Sequence, residues 1–332
     1  MSLRSSDRRL VVVTGARGYI ATALAKRLSD RGYSLRLVSR PLEKSQIAAD
    51  FHAESLKADL RDETAWLSLM QGADVIVHLS SRTDLRAAEA DPGGDNAINV
   101  EPIRALVSAA AKASFTPKVV FASTVTIVGT THDNPVDEQT PDHPCSVYDR
   151  HKLVSEMILR EATTQGHLSA CSLRLSNVYG LGGVSANANR GILNIMLQRA
   201  AAGEALTLFG NGSYIRDFIH IDDVVDAFTA AVELDKVGDG NHYIISTGRG
   251  HTLAEAYGLI ADRGFAATGR RIEIQKLAEP PDLHPIERRN FIGNSCLFRR
   301  LTGWQPRISL EEGIDRFFAA TLTRSERPVH QL

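Results

Sequence analysis

The stretch LVVVTGARGYIA, residues 10–21, places a short apolar run directly before a glycine-rich turn. The apolar residues of the segment 20–31 then recur at helical spacing, and the segment stops before a glycine. Gly15 and Gly18 lie where the predicted strand becomes the predicted helix, in a Gly-x-x-Gly-x-x-Ala pattern. Because glycine has no Cβ, a phosphate can approach the N–H groups of a helix N-terminus. The stretch therefore predicts a dinucleotide-binding turn, with an ordinary strand-to-helix turn as the alternative.

Strand and helix patterns alternate through the first half of the chain, which is typical of a parallel sheet covered on both faces. The predicted strands are 10–14, 34–39, 56–59, 74–79, 118–123 and 170–175, and the predicted helices are 20–31, 97–113 and 147–163. After about residue 181, Gly, Asn and Ser become frequent, and no clean linker separates the two halves. We expect an α/β fold: a doubly wound Rossmann domain over 9–180, with returning segments near 215–250, and a smaller, interleaved substrate-binding lobe over 181–325.

The bulk composition excludes several classes of function. The 332 residues are 43% hydrophobic and 23% charged, and their net charge of −1 gives no electrostatic case for nucleic acid or a membrane surface. No apolar run approaches the ~18 residues of a membrane helix. The three cysteines are far apart and odd in number, which favours free thiols in a reducing compartment. We therefore expect a cytoplasmic protein without a metal site.

The end of the second predicted strand bears on the choice of cofactor. An enzyme that binds NAD usually has an acidic residue there, which holds the ribose hydroxyls. This chain has Ser39 and Arg40 instead, and Arg40 is suited to a 2′-phosphate. Arg17, in the turn itself, is a second candidate phosphate ligand. The sequence predicts a preference for NADP(H), with NAD(H) as the alternative. If neither arginine binds a phosphate, both are ordinary solvated surface residues.

A tyrosine and a lysine one helical turn apart form the candidate catalytic pair. Tyr148 and Lys152 share a face of the predicted helix 147–163. A nearby ammonium favours the phenolate, which brings the tyrosine closer to a useful range for acid–base catalysis. Thr124 follows the fifth predicted strand, at the carboxyl edge where open parallel sheets bind ligands. The hydroxyl of Thr124 is predicted to orient a substrate oxygen against Tyr148.

The chain, with these residues in this order, resembles the extended short-chain dehydrogenase/reductase family of sugar-nucleotide epimerases, dehydratases and ketoreductases. The segments that carry the resemblance are 14–21, 59–62, 78–81, 99–100, 123–129, 148–152, 177–180, 216–223 and 303–306. The resemblance implies a catalytic triad of Thr124, Tyr148 and Lys152. The cofactor contacts predicted from the turn and from the resemblance are Gly15, Arg17, Gly18, Tyr19, Ile20, Ser39, Arg40, Asp59, Leu60, Leu79, Ser80, Ser81, Asn99, Tyr148 and Lys152. The implied substrate contacts are Thr124, Asn177, Arg216 and Arg289, with the two arginines on a diphosphate.

Two departures from the family pattern narrow the expected activity. The dehydratases carry Asp-Glu after the catalytic Thr, whereas this chain has Val125 and Thr126. Ser39 and Arg40 replace the acidic residue that is typical of the epimerases. The chain is most similar to the dTDP-4-keto-6-deoxyhexose 4-ketoreductases, for example in segments 147–153, 172–175, 190–192, 246–250 and 301–304.

The expected reaction is therefore NADPH-dependent reduction of a nucleoside-diphosphate 4-keto-6-deoxy sugar at C4. Three alternatives stay open: an NAD-dependent 4-epimerase, a reductase or dehydrogenase of a non-nucleotide substrate, and a non-enzymatic dinucleotide sensor. A homodimer is expected through helices 97–113 and 147–163, as in the family.

Overall fold

The computed structural model describes residues 8–39, 53–130, 134–181 and 191–325. The strands are β1 (Leu10–Thr14), β2 (Ser34–Ser39), β3 (Ala53–Lys57), β4 (Val75–His78), β5 (Lys118–Thr124), β6 (Ser169–Leu175), β7 (Asn177–Tyr179), β8 (Leu206–Phe209), β9 (Ile215–His220), β10 (His242–Ile245), β11 (Gly250–Thr252) and β12 (Ile274–Leu277). The helices are α1 (Tyr19–Asp30), α2 (Glu63–Met70), α3 (Leu85–Ala90), α4 (Pro92–Asn99), α5 (Glu101–Lys112), α6 (Val147–Thr164), α7 (Ile192–Ala202), α8 (Ile221–Glu233), α9 (Leu253–Thr268), α10 (Cys296–Thr302) and α11 (Leu310–Ser325).

The main sheet has seven parallel strands in the order β10-β6-β5-β4-β1-β2-β3. The central strand β1 is buried on both faces, because Val11 and Val13 join the core against α1 and α8, whereas Val12 joins the core against α2 and α5. This double burial explains the continuous apolar run in the sequence. The predicted doubly wound Rossmann fold is confirmed. The strand order reverses beside β1, so a ligand crevice lies at the carboxyl ends of β1 and β4.

Two predicted elements differ from the observed ones. The long helix expected at 97–113 is two helices, α4 and α5, that break at Val100. Pro102 lies in the first turn of α5, where its missing N–H is tolerated, but a helix that ran through it would lose a hydrogen bond. The third strand is β3, residues Ala53–Lys57, and not 56–59. This strand is at the edge of the sheet and partly exposed, so its apolar pattern is weak.

The second half of the chain builds a smaller lobe and also returns to the main sheet. Helices α7, α9 and α11 share a core with the two-stranded sheet β8-β12. The strand β10 pairs with β6 and becomes the outermost strand of the main sheet. The division of the chain at residue 180 stays a prediction. No helix within the described ranges has both the length and the apolar character needed to cross a membrane.

Candidate active site

The residue before the glycine turn is hydrogen-bonded to the residues that follow β4. The Thr14 hydroxyl oxygen accepts hydrogen bonds from the backbone N–H groups of Leu79 (3.2 Å) and Ser80 (3.3 Å). Gly15 has a φ of +66°, and a Cβ on it would lie 2.8 Å from the Ser80 nitrogen. Any side chain at this position would therefore collide with β4's continuation. The structure thus brings the predicted cofactor residues Gly15, Leu79 and Ser80 together in the crevice beside β1.

The N-terminus of α1 suits a negatively charged ligand. Gly18 is the N-cap and makes no side-chain capping bond, and the first helical turn contains no acidic residue. Both features leave the N–H groups and the positive end of the helix dipole for an anion such as a pyrophosphate. Arg17 is exposed beside this N-terminus, and Ile20 is partly buried in the first turn. The residues present here fit a dinucleotide.

Tyr19 connects the turn to the segment that follows β7. Its hydroxyl donates a hydrogen bond of 2.7 Å to the Gly180 carbonyl. Burial raises the pKa of Tyr19 well above its usual range, so the phenol stays protonated and keeps this bond. The hydrogen bond therefore fixes the start of α1 against the residue that follows β7.

The outer part of the predicted cofactor site is less enclosed. Ser39 ends β2 and is partly buried, whereas Arg40 lies outside the described residues. Asp59 is exposed and accepts hydrogen bonds from the guanidinium of Arg61, the closer at 2.5 Å. Leu60 is buried, and its carbonyl accepts the indole N–H of Trp66 at 2.7 Å. The direct cofactor contacts of these residues stay predictions.

Asn99 lies behind the crevice. Its side-chain oxygen accepts from the Ser81 hydroxyl (2.7 Å) and the Arg82 N–H (3.1 Å), and its amide donates to the Arg82 carbonyl and to Asp95. The three hydrogen bonds to Ser81 and Arg82 hold the loop after β4 in place. The structure therefore places Asn99 where it positions Ser81.

The predicted catalytic pair lies on the first turns of α6. Two side chains fix the start of this helix: Ser146 accepts from the Asp149 N–H, and Glu89 of α3 accepts from the Val147 N–H at 2.7 Å. Tyr148 is 8% exposed. The ammonium of Lys152 lies 5.9 Å from the centre of the Tyr148 ring. The i, i+4 spacing has therefore brought the two groups together, as the sequence predicts.

The ammonium of Lys152 contacts two residues of β5. It donates to the Ala122 carbonyl at 2.8 Å and lies 4.5 Å from the centre of the Phe121 ring. Lys152 is only 2% exposed, and this burial lowers the pKa of its ammonium to about 7. In the protein without ligand, the Lys152 ammonium therefore loses its proton near neutral pH.

The lowered pKa of Lys152 predicts a pH dependence of stability. In the unfolded chain a lysine titrates near pH 10.4, so between about pH 7 and pH 10 the unfolded chain binds a proton that the folded protein lacks. Stability therefore rises with pH across this window. We expect the free energy of unfolding of cofactor-free protein to rise more steeply in wild type than in Lys152→Met. Urea unfolding near pH 7 and near pH 9.5 measures both slopes. Equal slopes would contradict the prediction.

Thr124 ends β5 at the carboxyl edge of the sheet, where the sequence places it. Its side chain accepts a hydrogen bond of 3.2 Å from the Thr126 N–H and so caps a short 3₁₀ turn, Val125–Val128. The side chain is partly buried, on the strand that also provides the Ala122 carbonyl for Lys152. The three predicted catalytic residues therefore belong to one polar corner of the crevice.

Two buried guanidiniums form a cationic patch in the smaller lobe. Arg216, 2% exposed, donates to the carbonyls of Ile215 (3.1 Å), Glu287 (2.6 Å) and Arg289. Arg289 donates to the Ile286 carbonyl, and its Nε is buried without a hydrogen-bond partner in the structure. Burial lowers the pKa of both side chains, and in Arg216 the charge of Arg289 lowers it further. Guanidiniums nonetheless stay charged at neutral pH.

The nearest carboxylate compensates this cationic patch incompletely. Glu287 Oε2 lies 3.7 Å from Arg216 and 4.0 Å from Arg289, and the Glu287 side chain is 45% exposed. Asp149 also interacts with Arg289, beyond ion-pair distance, but the unpartnered Nε of Arg289 leaves a buried donor for a bound anion. Asn177, the fourth predicted substrate residue, starts β7, and its side-chain oxygen is buried without a partner in the structure.

An exposed apolar pair at the ends of β8 and β12 was not predicted from the sequence. Phe209 and Leu277 are paired at the ends of β8 and β12 and are 41% and 50% exposed. Exposed neighbours of this size suit a flat ring system. The only signal in the sequence was the Gly-Asn-Gly turn directly after Phe209. Within the described ranges, no cluster of His, Cys, Asp and Glu is arranged to hold a metal ion.

Comparisons with known proteins agree with this geometry. The profile of the NAD dependent epimerase/dehydratase family matches residues 11–246. The chain is 30% identical over 315 residues to UDP-glucose 4-epimerase of Mycolicibacterium smegmatis, covering 91% of this chain and 95% of that protein. It is also similar to UDP-glucose 4-epimerase from Thermotoga maritima, solved with UDP-glucose, at a TM-score of 0.83, 26% identity and coverage of 96% and 100%.

A further solved structure shares the fold. MoeE5, in complex with UDP-glucuronic acid and NAD, has a TM-score of 0.80 and 23% identity, with coverage of 95% of this chain and 99% of that one. The family match includes both the glycine turn and the Tyr–Lys helix. The chain therefore belongs to the NAD dependent epimerase/dehydratase family, and it is an NAD(P)-dependent oxidoreductase or epimerase of the extended short-chain dehydrogenase/reductase type.

Proposed function

We propose that the protein is an NAD-dependent 4-epimerase of a UDP-linked hexose. The observation that carries this proposal is a buried cationic patch, Arg216 and Arg289, in which Arg289 interacts with Asp149 on the helix that bears Tyr148 and Lys152. This combination suits a sugar that is oxidised at one carbon while a diphosphate anchors it. The likeness to UDP-glucose 4-epimerases over nine-tenths of the chain supports the epimerase over the ketoreductase expected from the sequence.

Tyr148 and Lys152 have different roles in the proposed reaction. Tyr148 removes the proton of the C4 hydroxyl, and it returns that proton after the sugar has presented its other face. Lys152 stabilises the phenolate of Tyr148 when it carries its charge. The glycine turn and the N-terminus of α1 would hold NAD, whose nicotinamide would supply reversible hydride transfer at C4. No added reductant is consumed over the cycle.

The smaller lobe binds the nucleotide in this proposal. Arg216 and Arg289 hold the diphosphate, with Arg216 oriented by the three carbonyls that it contacts. The exposed pair Phe209 and Leu277 covers one face of the nucleobase. The nucleotide thus stays fixed while the hexose is free to turn.

An NADPH-dependent 4-ketoreductase is the second candidate. The specific observation in its favour is the end of β2, where Ser39 and then Arg40 stand in place of an acidic residue. A reductase must exchange its cofactor in each turnover, and a 2′-phosphate would meet no carboxylate at this position. The NADP preference therefore belongs to this second proposal.

One experiment separates the two candidates. Purified protein is incubated with UDP-galactose and NAD, and the products are followed by NMR; separate samples receive dTDP-4-keto-6-deoxyglucose with NADPH or NADH. UDP-glucose that forms without net change in nicotinamide absorbance supports the epimerase. Stoichiometric loss of NADPH absorbance, with no UDP-glucose formed, moves the assignment to the ketoreductase.

We also propose that the protein is a homodimer through α5 and α6. These helices pack side by side, and Met157 on α6 is 60% exposed. Val107 on α5 and Ile158 on α6 are also only partly buried. An apolar strip of this kind on two adjacent helices is suited to pairing with a second copy.

We expect Met157→Glu to weaken the dimer by at least about tenfold, because association would bury an unpaired charge. Sedimentation velocity over a range of protein concentrations measures the change. Phe265→Glu, at another exposed apolar residue on α9, is the matched control and should leave association unchanged. A Met157→Glu protein that sediments as wild type would contradict this interface.

A further inference from the structure

Three side chains form a hydrogen-bonded relay at the polar corner of the crevice. The hydroxyl oxygens of Thr124 and Thr126 are 2.7 Å apart. The Thr126 hydroxyl donates to Oδ1 of Asp149 on α6. Thr124 also accepts from the Thr126 N–H at 3.2 Å. The relay therefore runs from the predicted substrate contact Thr124 to a carboxylate one residue after Tyr148.

The carboxylate fixes the direction of this relay. An ionised Asp149 can only accept hydrogen bonds, so the single proton of the Thr126 hydroxyl is directed to it. The Thr126 oxygen must then accept from Thr124. The one proton of the Thr124 hydroxyl is therefore directed away from the crevice. The Thr124 oxygen keeps one lone pair that can accept a hydrogen bond from the substrate. It has no proton left to donate to the substrate.

The surroundings of Asp149 keep it in this role. The residue is fully buried, and its Oδ2 has no hydrogen-bond partner in the structure. Ser146 accepts from the Asp149 N–H at 3.0 Å, which fixes the residue in the first turn of α6. The charge of Arg289 is near enough to interact with that of Asp149. The acceptor end of the relay is thus held rigidly beside the catalytic pair.

We propose that Asp149, acting through Thr126, is a positioning residue that makes Thr124 a hydrogen-bond acceptor toward the sugar. This inference rests on the proposed 4-epimerase. Because its own proton is directed to Thr126, Thr124 has no donor to offer the oxygen of a C4 ketone. The ketone is then held by one donor, Tyr148, and not by two.

This arrangement suits an epimerase better than a reductase. In the epimerase the keto sugar must leave one pose and enter another between the two hydride transfers. A second donor from Thr124 would stabilise the first pose and slow the turn. The direction of the relay also prevents Thr124 from passing its proton to Tyr148, so the hydroxyl proton of the substrate goes to the tyrosine directly.

The affinity for a keto sugar tests the inference. Titration calorimetry with NAD-loaded protein gives the dissociation constants of UDP-4-keto-6-deoxyglucose and of UDP, since oxidised cofactor cannot reduce the ketone. We expect Thr126→Val to bind the keto sugar about fivefold more tightly, because Thr124 regains a proton to donate, an effect typical of one hydrogen bond. Thr126→Ser keeps the relay and should match wild type. UDP, which lacks the sugar, should bind all the proteins equally.

A double variant protects the test against misfolding. Thr126→Val leaves a buried carboxylate without its donor, so Thr126→Val with Asp149→Leu removes that carboxylate as well. This double variant should show the same gain for the keto sugar relative to UDP, because the UDP titration accounts for the charge lost near Arg289. The inference is overturned if neither protein gains affinity for the keto sugar, or if Thr126→Ser gains as much as Thr126→Val. These outcomes do not depend on turnover. A wild-type protein that converts no UDP-sugar would refute the proposed function. The affinities of the variants could still be compared, because the binding measurement needs no turnover.

Discussion

Tyr148→Phe is expected to lower kcat for epimerisation by about a thousandfold, the usual range for losing a positioned acid–base group. The phenol hydroxyl is the group that exchanges a proton with C4 in the proposed reaction, and phenylalanine has none. The ring itself is retained, so its packing in the small cluster with Val147 and Ala88 should persist. The KM for the nucleotide sugar and the affinity for NAD should therefore change less than about threefold.

The measurement is steady-state kinetics with the substrate that the function experiment identifies, together with an NAD titration of each protein. Tyr243→Phe is the matched control, since that hydroxyl donates to Asp239 near the start of β10, far along the strand from the ligand edge. The control should retain wild-type kcat. Full activity of Tyr148→Phe would refute the mechanism, and a comparable loss in both variants would point to a general effect of removing a buried hydroxyl.

The Rossmann half of the fold was predictable because its strands are buried on both faces. Such strands are continuous apolar runs in the sequence, and β1 agrees with its prediction residue for residue. The prediction of a single helix at 97–113 was wrong. It relied on the alanine content of the segment and did not take into account the break that Pro102 causes. In the smaller lobe, short elements such as β8 and β12 pair across more than sixty residues. Such non-local pairing leaves no periodic pattern in either segment.

The candidate site was predictable where spacing along one helix creates the contact. Tyr148 and Lys152 are an example, because four residues along α6 suffice to bring them together. The relay from Thr124 to Asp149 joins the end of β5 to a different element, and no local pattern indicates it. The same holds for the buried pair Arg216 and Arg289, which the resemblance implied but the sequence spacing did not. Neither the burial of the two arginines nor the carbonyls that orient Arg216 could be predicted from the sequence.

Arg289→Met is expected to weaken UDP binding by about 50-fold, the effect of losing a buried, charge-assisted contact. Arg289 is 8% exposed, its Nε has no partner in the structure, and its charge is compensated incompletely by Glu287 at 4.0 Å. These features favour a diphosphate that accepts from the guanidinium. Uridine carries no phosphate, so its weaker affinity should be unchanged in the variant. Calorimetric titrations with UDP and with uridine measure both.

The neighbouring arginine provides the control for this experiment. Arg288 is 48% exposed in its side chain, and its Nε is 3.5 Å from the Glu279 carboxylate. Arg288→Met removes the same charge one residue away, but from a solvated position where screening makes it count for little. We expect less than about a threefold loss of UDP affinity there. Equal losses in the two variants would mean that the general charge of the loop, and not the buried guanidinium, attracts the nucleotide. An unchanged UDP affinity in Arg289→Met would remove this arginine from the diphosphate site, and Arg216 would then have to bind the diphosphate alone.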